Sequence, residues 1–508
     1  MAEDVIKAAA RYSAGASDRK IYEDRAKVFA GLTLPFLIRN DGDTASSAMA
    51  DNHAQSYGAR LVNTLKAKMG MALLPPNTSS FRFKPEPAEL AALTQGNADN
   101  TSKIKNLLSQ STIAINDEIE IQQIRVSLFE LIIQLLVVGS CVVEKVKEDG
   151  VILHTLMGFT AKLNAKGEPI EIVLREMLDK VDLPDEIKPK DTDEEEYELY
   201  TMYVKEEDGS GKWIRNQYID DEEVGKETSY KNYDKLPVRY FGWTWMVGDD
   251  YHRPYVEDYY KDLQQLDKLA SLLTDGAVIA AKSLILVNER GGRTRKDAIA
   301  KSTNGAVVDG HADDITSFTL DKNFDFQVPM EREAALKREL ASAFLMNESA
   351  TRDAERVTAA EVQFMAQELE TSTLAGIYSK LAVDWSKWIV EHIMGELGVK
   401  FEAISVDILT GLDALGRSQE SQKLDGYIQR MQALEMMDRL NEAEIATRYA
   451  EYDGIDTNAL LKTDQEVEAG RKARAAAQAA QMGDEAAATE GGKAAGQAAV
   501  AEEAPQQA

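Results

Sequence analysis

Residues 344 to 393 read FLMNESATRDAERVTAAEVQFMAQELETSTLAGIYSKLAVDWSKWIVEHI, and few folds accommodate such a stretch. A short polar segment, ESATRDAER, runs into a helical pattern whose start is chemically marked. Thr358 is placed to cap the first free amides while Glu361, three residues on, reaches back to it, a reciprocal capping box. Behind it Val362, Met365, Leu369, Leu374, Ile377, Leu381, Trp385, Trp388 and Ile393 recur at roughly helical spacing. The pattern predicts one helix of about 35 residues, ~50 Å long at 1.5 Å per residue. A helix of that length needs a large body to lie against, or several.

The chain has room for both. Its 508 residues are 44% hydrophobic, enough for two to four packed units. The net charge of −28 argues against nucleic-acid binding by counterion release, which needs clustered Lys and Arg. Acidity still permits a role around DNA, because a wall of like charge lets a duplex slide. Solubility alone also accounts for it. The single cysteine, Cys141, lies in the apolar run LLVVGSCVV, so no disulfide forms within the chain and folding in a reducing compartment is expected. With no nearby His, Cys141 reads as core. The longest apolar segment, Leu128 to Val143, is interrupted by Glu130 and Gln134 and is too short and polar to span a bilayer. No signal peptide is visible, and the expectation is a soluble protein made in the cytoplasm.

Helices are predicted first, over Asp18 to Leu34, Gln55 to Met71, and Ala88 to Ile124. The second and third are separated by a strand and turn at SSFRFKPEP. Leu128 to Leu136 reads as a buried helix, broken at Gly139. From Val151 to Trp245 the period changes to that of strands, with β-branched and aromatic residues between turn-rich gaps. Pro254 then opens a helix lined by Leu263, Leu266, Leu269 and Leu273. A β-like insert follows, carrying a basic cluster at Arg290, Arg293, Arg295 and Lys296. A second helix, MEREAALKRELASAFLM, returns to the segment described above. Two helices flanking a strand insert make a hairpin with a decorated tip. Farther on, FEAISVDIL suggests one short strand and Ser418 to Tyr449 a helix. Residues from Arg471 onward are low-complexity Ala, Gln, Glu and Gly, read as mostly disordered. The fold class expected is α+β, mainly helical.

Catalytic signatures are missing. No phosphate-binding G-x-x-x-x-G-K-[ST], H-E-x-x-H, G-x-S-x-G or EF-hand loop occurs, and GGRTRK lacks the spacing of a phosphate cradle. The five histidines (His53, His154, His252, His311 and His392) are scattered, with no pair at ligand spacing. No enzyme, no cofactor and no metal are expected.

Six segments in order resemble the portal proteins of short-tailed phages of the autographivirus type, the connectors between head and tail. They are YEDRAKVFAGLTLPFL, YGARLVNTLKAKMGMALLPPNTSSFRF, RVSLFELIIQLLVVGSCVV, RPYVEDYYKDLQQLDKLA, SAFLMNESATRDAERVTAAEVQFMAQELE with GIYSKL, and GLDALGRSQESQKL. The likeness runs from about Tyr22 to Leu461. One departure is GDDYHRPYVEDYY, with His-Arg-Pro where the resemblance implies a Gly-Arg turn, which puts the shape of that corner in question.

The resemblance implies a portal fold: a wing over 1–253, a first stem helix over 254–282 and a β-containing clip over 283–330. A second stem helix over 331–346, a tunnel loop over 347–357 and a long kinked wing helix over 358–399 follow. A helical crown over 400–470 and a disordered tail over 471–508 complete it. It also implies a homo-oligomeric ring of about twelve subunits at one capsid vertex of the virion. The terminase motor would drive double-stranded DNA through its channel without sequence specificity. The DNA would later be ejected through it, and a tail adaptor would attach there. The implied partners are the terminase large subunit, the tail adaptor, the major capsid protein and the scaffolding protein; no membrane is involved. In the tunnel loop Arg352 and Arg356 alternate with Glu348, Asp353 and Glu355. Two readings stand: weak, rolling phosphate contacts by the arginines, or pairing with acidic residues of neighbouring loops. The clip residues Arg290, Arg293, Arg295 and Lys296 are candidates for contact with the terminase, the adaptor or exiting DNA, against a simple solvated turn. The rival assignments are another head-tail adaptor or collar ring protein, and a non-enzymatic helical scaffold.

Overall fold

The computed structural model describes residues 8–38, 53–75, 79–85, 98–147, 150–181, 183, 187, 196–219, 222–281, 284–287, 315–318, 323–346, 364–365, 367–369, 371–398, 404–408, 424–434, 436, 440, 445–446, 448–449, 470 and 472. In chain order the elements begin with α1 (Ala8–Leu32), α2 (Tyr57–Leu73), β1 (Phe81–Pro85), α3 (Ala98–Ile121) and α4 (Ile124–Val137). A run of strands follows: β2 (Ser140–Val146), β3 (Gly150–His154), β4 (Phe159–Leu163), β5 (Pro169–Asp179), β6 (Glu196–Lys205), β7 (Trp213–Ile219), β8 (Glu222–Tyr230) and β9 (Val238–Gly242). The rest comprises α5 (Val256–Ala281), β10 (Leu284–Val287), β11 (Ile315–Phe318), α6 (Asn323–Ala343), α7 (Ala375–Glu396) and β12 (Ile404–Ile408). The protein is thus a mixed helix–strand fold. Its contacts divide it into one compact unit of Met1–Thr101 with Gln110–Leu415, and another of Ser102–Ser109 with Gly416–Ala508. No helix among the described residues is long and apolar enough to cross a membrane.

The β-rich stretch builds two antiparallel sheets. One is the five-stranded meander β4-β5-β6-β7-β8 and the other the three-stranded β3-β2-β9. Side chains alternate across a strand, so each face of the meander has its own set. Val173, Tyr200 and Met202 lie on the face covered by Ala8 and Tyr12 of α1. α4 is exposed at Val126 and Glu130 in its first half, whereas its second half, Leu131 to Val137, is buried throughout, with Leu128 buried as well. On α7, Trp385, Trp388, Ile389 and Ile393 are buried, with Phe241 of β9 stacked 5.7 Å from Trp385.

Three expectations are revised. The helix beginning near Thr358 is not continuous: residues 372–374 leave the helical path before α7 begins at Ala375. Thr371 and Ser372 donate their hydroxyls to the carbonyls of Gln367 and Leu369, and Leu374 N–H donates to Ser372 Oγ, 3.1 Å away. Side chains that compete for backbone partners unseat a helix. The capping pair Thr358 and Glu361 lies outside the described residues. The helix after the insert starts earlier than its apolar pattern suggests, at Asn323, and carries Pro329 within it. Lastly, the two isolated strand signals are partners: β1 and β12 pair antiparallel, Phe81 opposite Ile408 and Pro85 opposite Ile404.

The His-Arg-Pro corner is well defined. Thr244 and Arg253 bridge through both backbone amides, at 3.1 and 2.8 Å. The His252 ring is buried, its Nδ1 3.2 Å from the Tyr240 hydroxyl. Two glycines make the space. A Cβ on Gly242 would stand 2.0 Å from His252 Cγ, and one on Gly139, whose φ is +98°, would stand 2.4 Å from the His252 carbonyl oxygen. Burial, with Lys380 adding to it, pushes the His252 imidazole down to about 3. The unfolded chain, with an ordinary imidazole near 6.5, therefore takes up a proton the folded state refuses as pH falls from about 6.5 toward 3. Stability is lost across that window and unaffected by this group above it. His252→Phe is expected to remove about one proton from the uptake on unfolding, flattening the fall of Tm with pH in a thermal-shift series from pH 7 to 4.

Candidate functional site: the root of the helix-strand-helix arm

α5 and α6 form an arm whose close-packed contacts with the body lie where α5 begins and α6 ends. α5 starts just after Pro254, with Glu257 and Asp258 in its first turn, where carboxylates favour the exposed amides. Glu257 also pairs with Arg25 of α1 and with Arg253, the latter at 3.4 Å. At this root the rings close together. Tyr255 lies 5.5 Å from Trp243, 5.1 Å from Tyr259 and 5.1 Å from Phe344, and its hydroxyl donates to Ala343 O at 2.8 Å. From the other side Tyr57 of α2 donates to Lys337 O at 2.9 Å. Leu263, Leu266, Leu336, Leu340 and Phe344 are buried between the helices.

Outboard of Leu266 and Leu336 the described side chains are only partly covered or exposed. Leu272 is 64% exposed, Val278 52%, Val328 71% and Met330 59%. Beside them Ala270, Leu273, Thr274, Ala277 and Val278 of α5 line a shallow groove with Ala54 and Glu333. Beyond α5, β10 and β11 pair antiparallel, Leu284 opposite Phe318 and Val287 opposite Ile315. This ladder holds together the two chain ends of the insert. Arg290, Arg293, Arg295 and Lys296, expected at its tip, lie outside the described residues.

The end of α6 is a second device. Met346 N–H bonds back to Ala341 O at 2.7 Å and Leu345 N–H to Ser342 O at 3.2 Å, the paired bonds of a Schellman termination. The residue that turns the corner is Leu345, at φ +54°, where glycine is usual. A left-handed leucine costs about 1–2 kcal/mol, and a buried lysine offsets it. Lys68 of α2 donates to Leu345 O and, at 2.6 Å, to Glu368 Oε2. Lys68 thereby grips the chain just before and just after residues 347–363, a segment outside the described residues. Glu348, Arg352, Asp353, Glu355 and Arg356, the predicted loop residues, all fall within it. No local sequence pattern marks Lys68, whose partners are about 280 and 300 positions away.

No described group in or near this root is suited to covalent chemistry. Cys141 is fully buried, and burial pushes its thiol far up, away from the nucleophilic thiolate. The chemistry on offer is mechanical: a braced arm with bare outer flanks, and a lysine that bonds the chain on both sides of residues 347–363. Lys68→Met removes the ammonium bonded to the Glu368 carboxylate and the Leu345 carbonyl, and a loss of about 3 kcal/mol is expected in urea unfolding. Adding Glu368→Gln to that variant is expected to recover part of it.

A family described as bacteriophage head to tail connecting protein matches residues 6–461. The portal protein of Enterobacteria phage T3 is 31% identical, covering 96% of this chain and 93% of its own length. That of Escherichia phage T7 is also 31% identical, covering 95% and 92%. That of Pseudomonas phage phiKMV is 28% identical, covering 90% and 93%. Among solved structures, the neck of an empty GTA particle computed with C6 symmetry aligns with a TM-score of 0.37 at 14% identity, over 73% of this chain and 86% of the other. With a family match over nine-tenths of the chain and portal relatives matched nearly end to end, the chain belongs to the bacteriophage head-to-tail connecting proteins, the portal proteins.

Proposed function

We propose that this chain is one subunit of a portal ring of about twelve copies at the head-tail junction of a virion. Double-stranded DNA would be packed in, and later released, through its central channel. The observation that carries the reading is the arm. Its outer flanks present Leu272, Val278, Val328 and Met330 to solvent on both helices. Exposed apolar area of that kind marks an interaction surface. A head-to-tail ring covers one flank of each arm with the opposite flank of the next, and rotation closes the series.

In this reading α5 and α6 are the stem, the insert begun by β10 and ended by β11 is the clip facing the terminase and later the tail adaptor, and 347–357 is the tunnel loop. The wing is 1–253 together with 358–399, the crown is 400–470, and the capsid and scaffolding proteins meet the ring at the vertex. The role is structural rather than catalytic. A net charge of −28 suits a channel that must let a duplex pass. Each firm phosphate contact would hold moving DNA, whereas repulsion from an anionic wall acts only within about 8–10 Å. Arg352 and Arg356 then supply weak, rolling contacts at the narrowest point, and the Lys68 clamp fixes both ends of the loop that presents them. The basic cluster at Arg290, Arg293, Arg295 and Lys296 serves the motor-facing end.

Electron microscopy of the purified chain, with light scattering on the same sample, is the first test. Rings around an open channel are expected; a compact closed dimer would remove the proposal in favour of a helical scaffold. Two sets of variants then separate the parts. Arg352→Ala with Arg356→Ala should keep the ring and change retention of packaged DNA, and unchanged retention speaks against a valve. Arg290→Glu with Arg293→Glu should keep the ring and block packaging, and normal packaging removes the clip assignment.

A further inference from the structure

A polar cluster sits between the two sheets, and nothing in the connector role uses it. Glu144 projects from β2, His154 closes β3, and Glu176 comes from β5 of the meander. One ligand atom from each lies within 4.8 Å of the other two. His154 is 6% exposed, with Nε2 3.0 Å from Glu144 Oε2. The other oxygen of Glu144 accepts from the Tyr203 hydroxyl of β6, 3.5 Å away. Orienting contacts of this sort are what fix metal-binding carboxylates in place.

The cluster is short of positive charge. Burial raises the Glu176 carboxyl; His154 pulls it back, Glu144 pushes it further up, and Arg215 pulls it down. Arg215 faces Tyr203 across the β6–β7 ladder and brings one fixed charge against two carboxylates. Its Nε is buried with no hydrogen-bond partner among the described residues, and its side chain also bonds Tyr230, so its charge is shared. A bound cation would restore the balance.

We propose that Glu144, His154 and Glu176 form a site for a single divalent transition-metal ion, zinc in preference, that ties β2 and β3 to β5. The donor set selects the class. Calcium and magnesium take oxygen ligands throughout, whereas an imidazole nitrogen with two carboxylates suits zinc or its neighbours. The size agrees too. Ligands about 2.0–2.2 Å from a tetrahedral ion stand roughly 3.4 Å apart. The Glu144–His154 pair already stands that close, and the whole set closes with about 1 Å of side-chain movement. Three protein ligands leave the fourth corner for water. His154 binds as the neutral ring, so metal and proton compete for Nε2.

The test uses the full-length chain, stripped with chelator and dialysed. Zinc is titrated against a chromophoric chelator, and cobalt(II) is added to a second portion for its visible spectrum. Expected are one zinc per chain, a rise in Tm on zinc addition, and cobalt d–d bands without thiolate charge-transfer bands. Glu176→Gln keeps the side chain's shape and is expected to weaken zinc about 100-fold or more, since losing even an orienting partner costs about 10–100-fold. Well under one equivalent of zinc on the unmutated chain overturns the proposal. So does a cobalt spectrum with no d–d bands, a readout that needs no variant to fold. Zinc affinity unchanged from the unmutated chain in both Glu176→Gln and His154→Gln overturns it as well, placing the metal elsewhere.

Discussion

Five rings and one lysine hold the arm. Trp243, Tyr255, Tyr259, Phe344 and Tyr57 occupy its root, and from α2 Tyr57 donates to the Lys337 carbonyl and Lys68 to the Leu345 carbonyl. From this junction out to Leu266 and Leu336 the helices bury leucines against each other; beyond those two the described side chains, Leu272 among them, are partly covered or exposed. A cantilever with such a root transmits displacement rather than absorbing it, because close-packed aromatic contacts deform little. Tyr255 is central: its ring touches three others and its hydroxyl is spent on a carbonyl at the far end of α6. The start of one helix and the end of the other are thereby fixed to a single side chain.

The same junction fixes the chain just before the segment that carries Arg352 and Arg356. α6 terminates in a left-handed leucine, a conformation held only when surroundings over-determine it. Here the surroundings are Phe344 buried on one side and a lysine bonded to the leucine's own carbonyl on the other. Glu368, on the far side of residues 347–363, shares that lysine. A single buried charge therefore couples the chain before that segment to the chain after it.

Much of this was readable before any coordinates. The change of period after Gly139, the strand-rich stretch over 151–245 and the two helices about a strand insert follow from side-chain spacing alone, since burying one face forces that spacing. What escaped has a common cause. The pairing of β1 with β12 joins residues more than 300 positions apart, and each strand alone is too short to announce a partner. The interruption at residues 372–374 was hidden because apolar residues keep roughly helical spacing across it, while the hydroxyls of Thr371 and Ser372 decide the backbone. His154 looked isolated among scattered histidines because Glu144 reaches it from the paired strand β2 and Glu176 from the other sheet rather than along the chain. The basic tip and the loop arginines came from the sequence, and so did the family; the lysine that braces the loop did not.

The His252 corner has an evolutionary corollary. Gly242 and Gly139 are empty of side chain where the His252 residue is full, one against its ring and the other against its carbonyl. The three positions share one volume and cannot drift independently. In a relative carrying a small residue at the site of His252, the position of Gly242 is released from glycine and free to gain a side chain. A histidine there returns the constraint. Covariation between these two positions across portal sequences would thus record a packing exchange at the point where the body hands over to the arm.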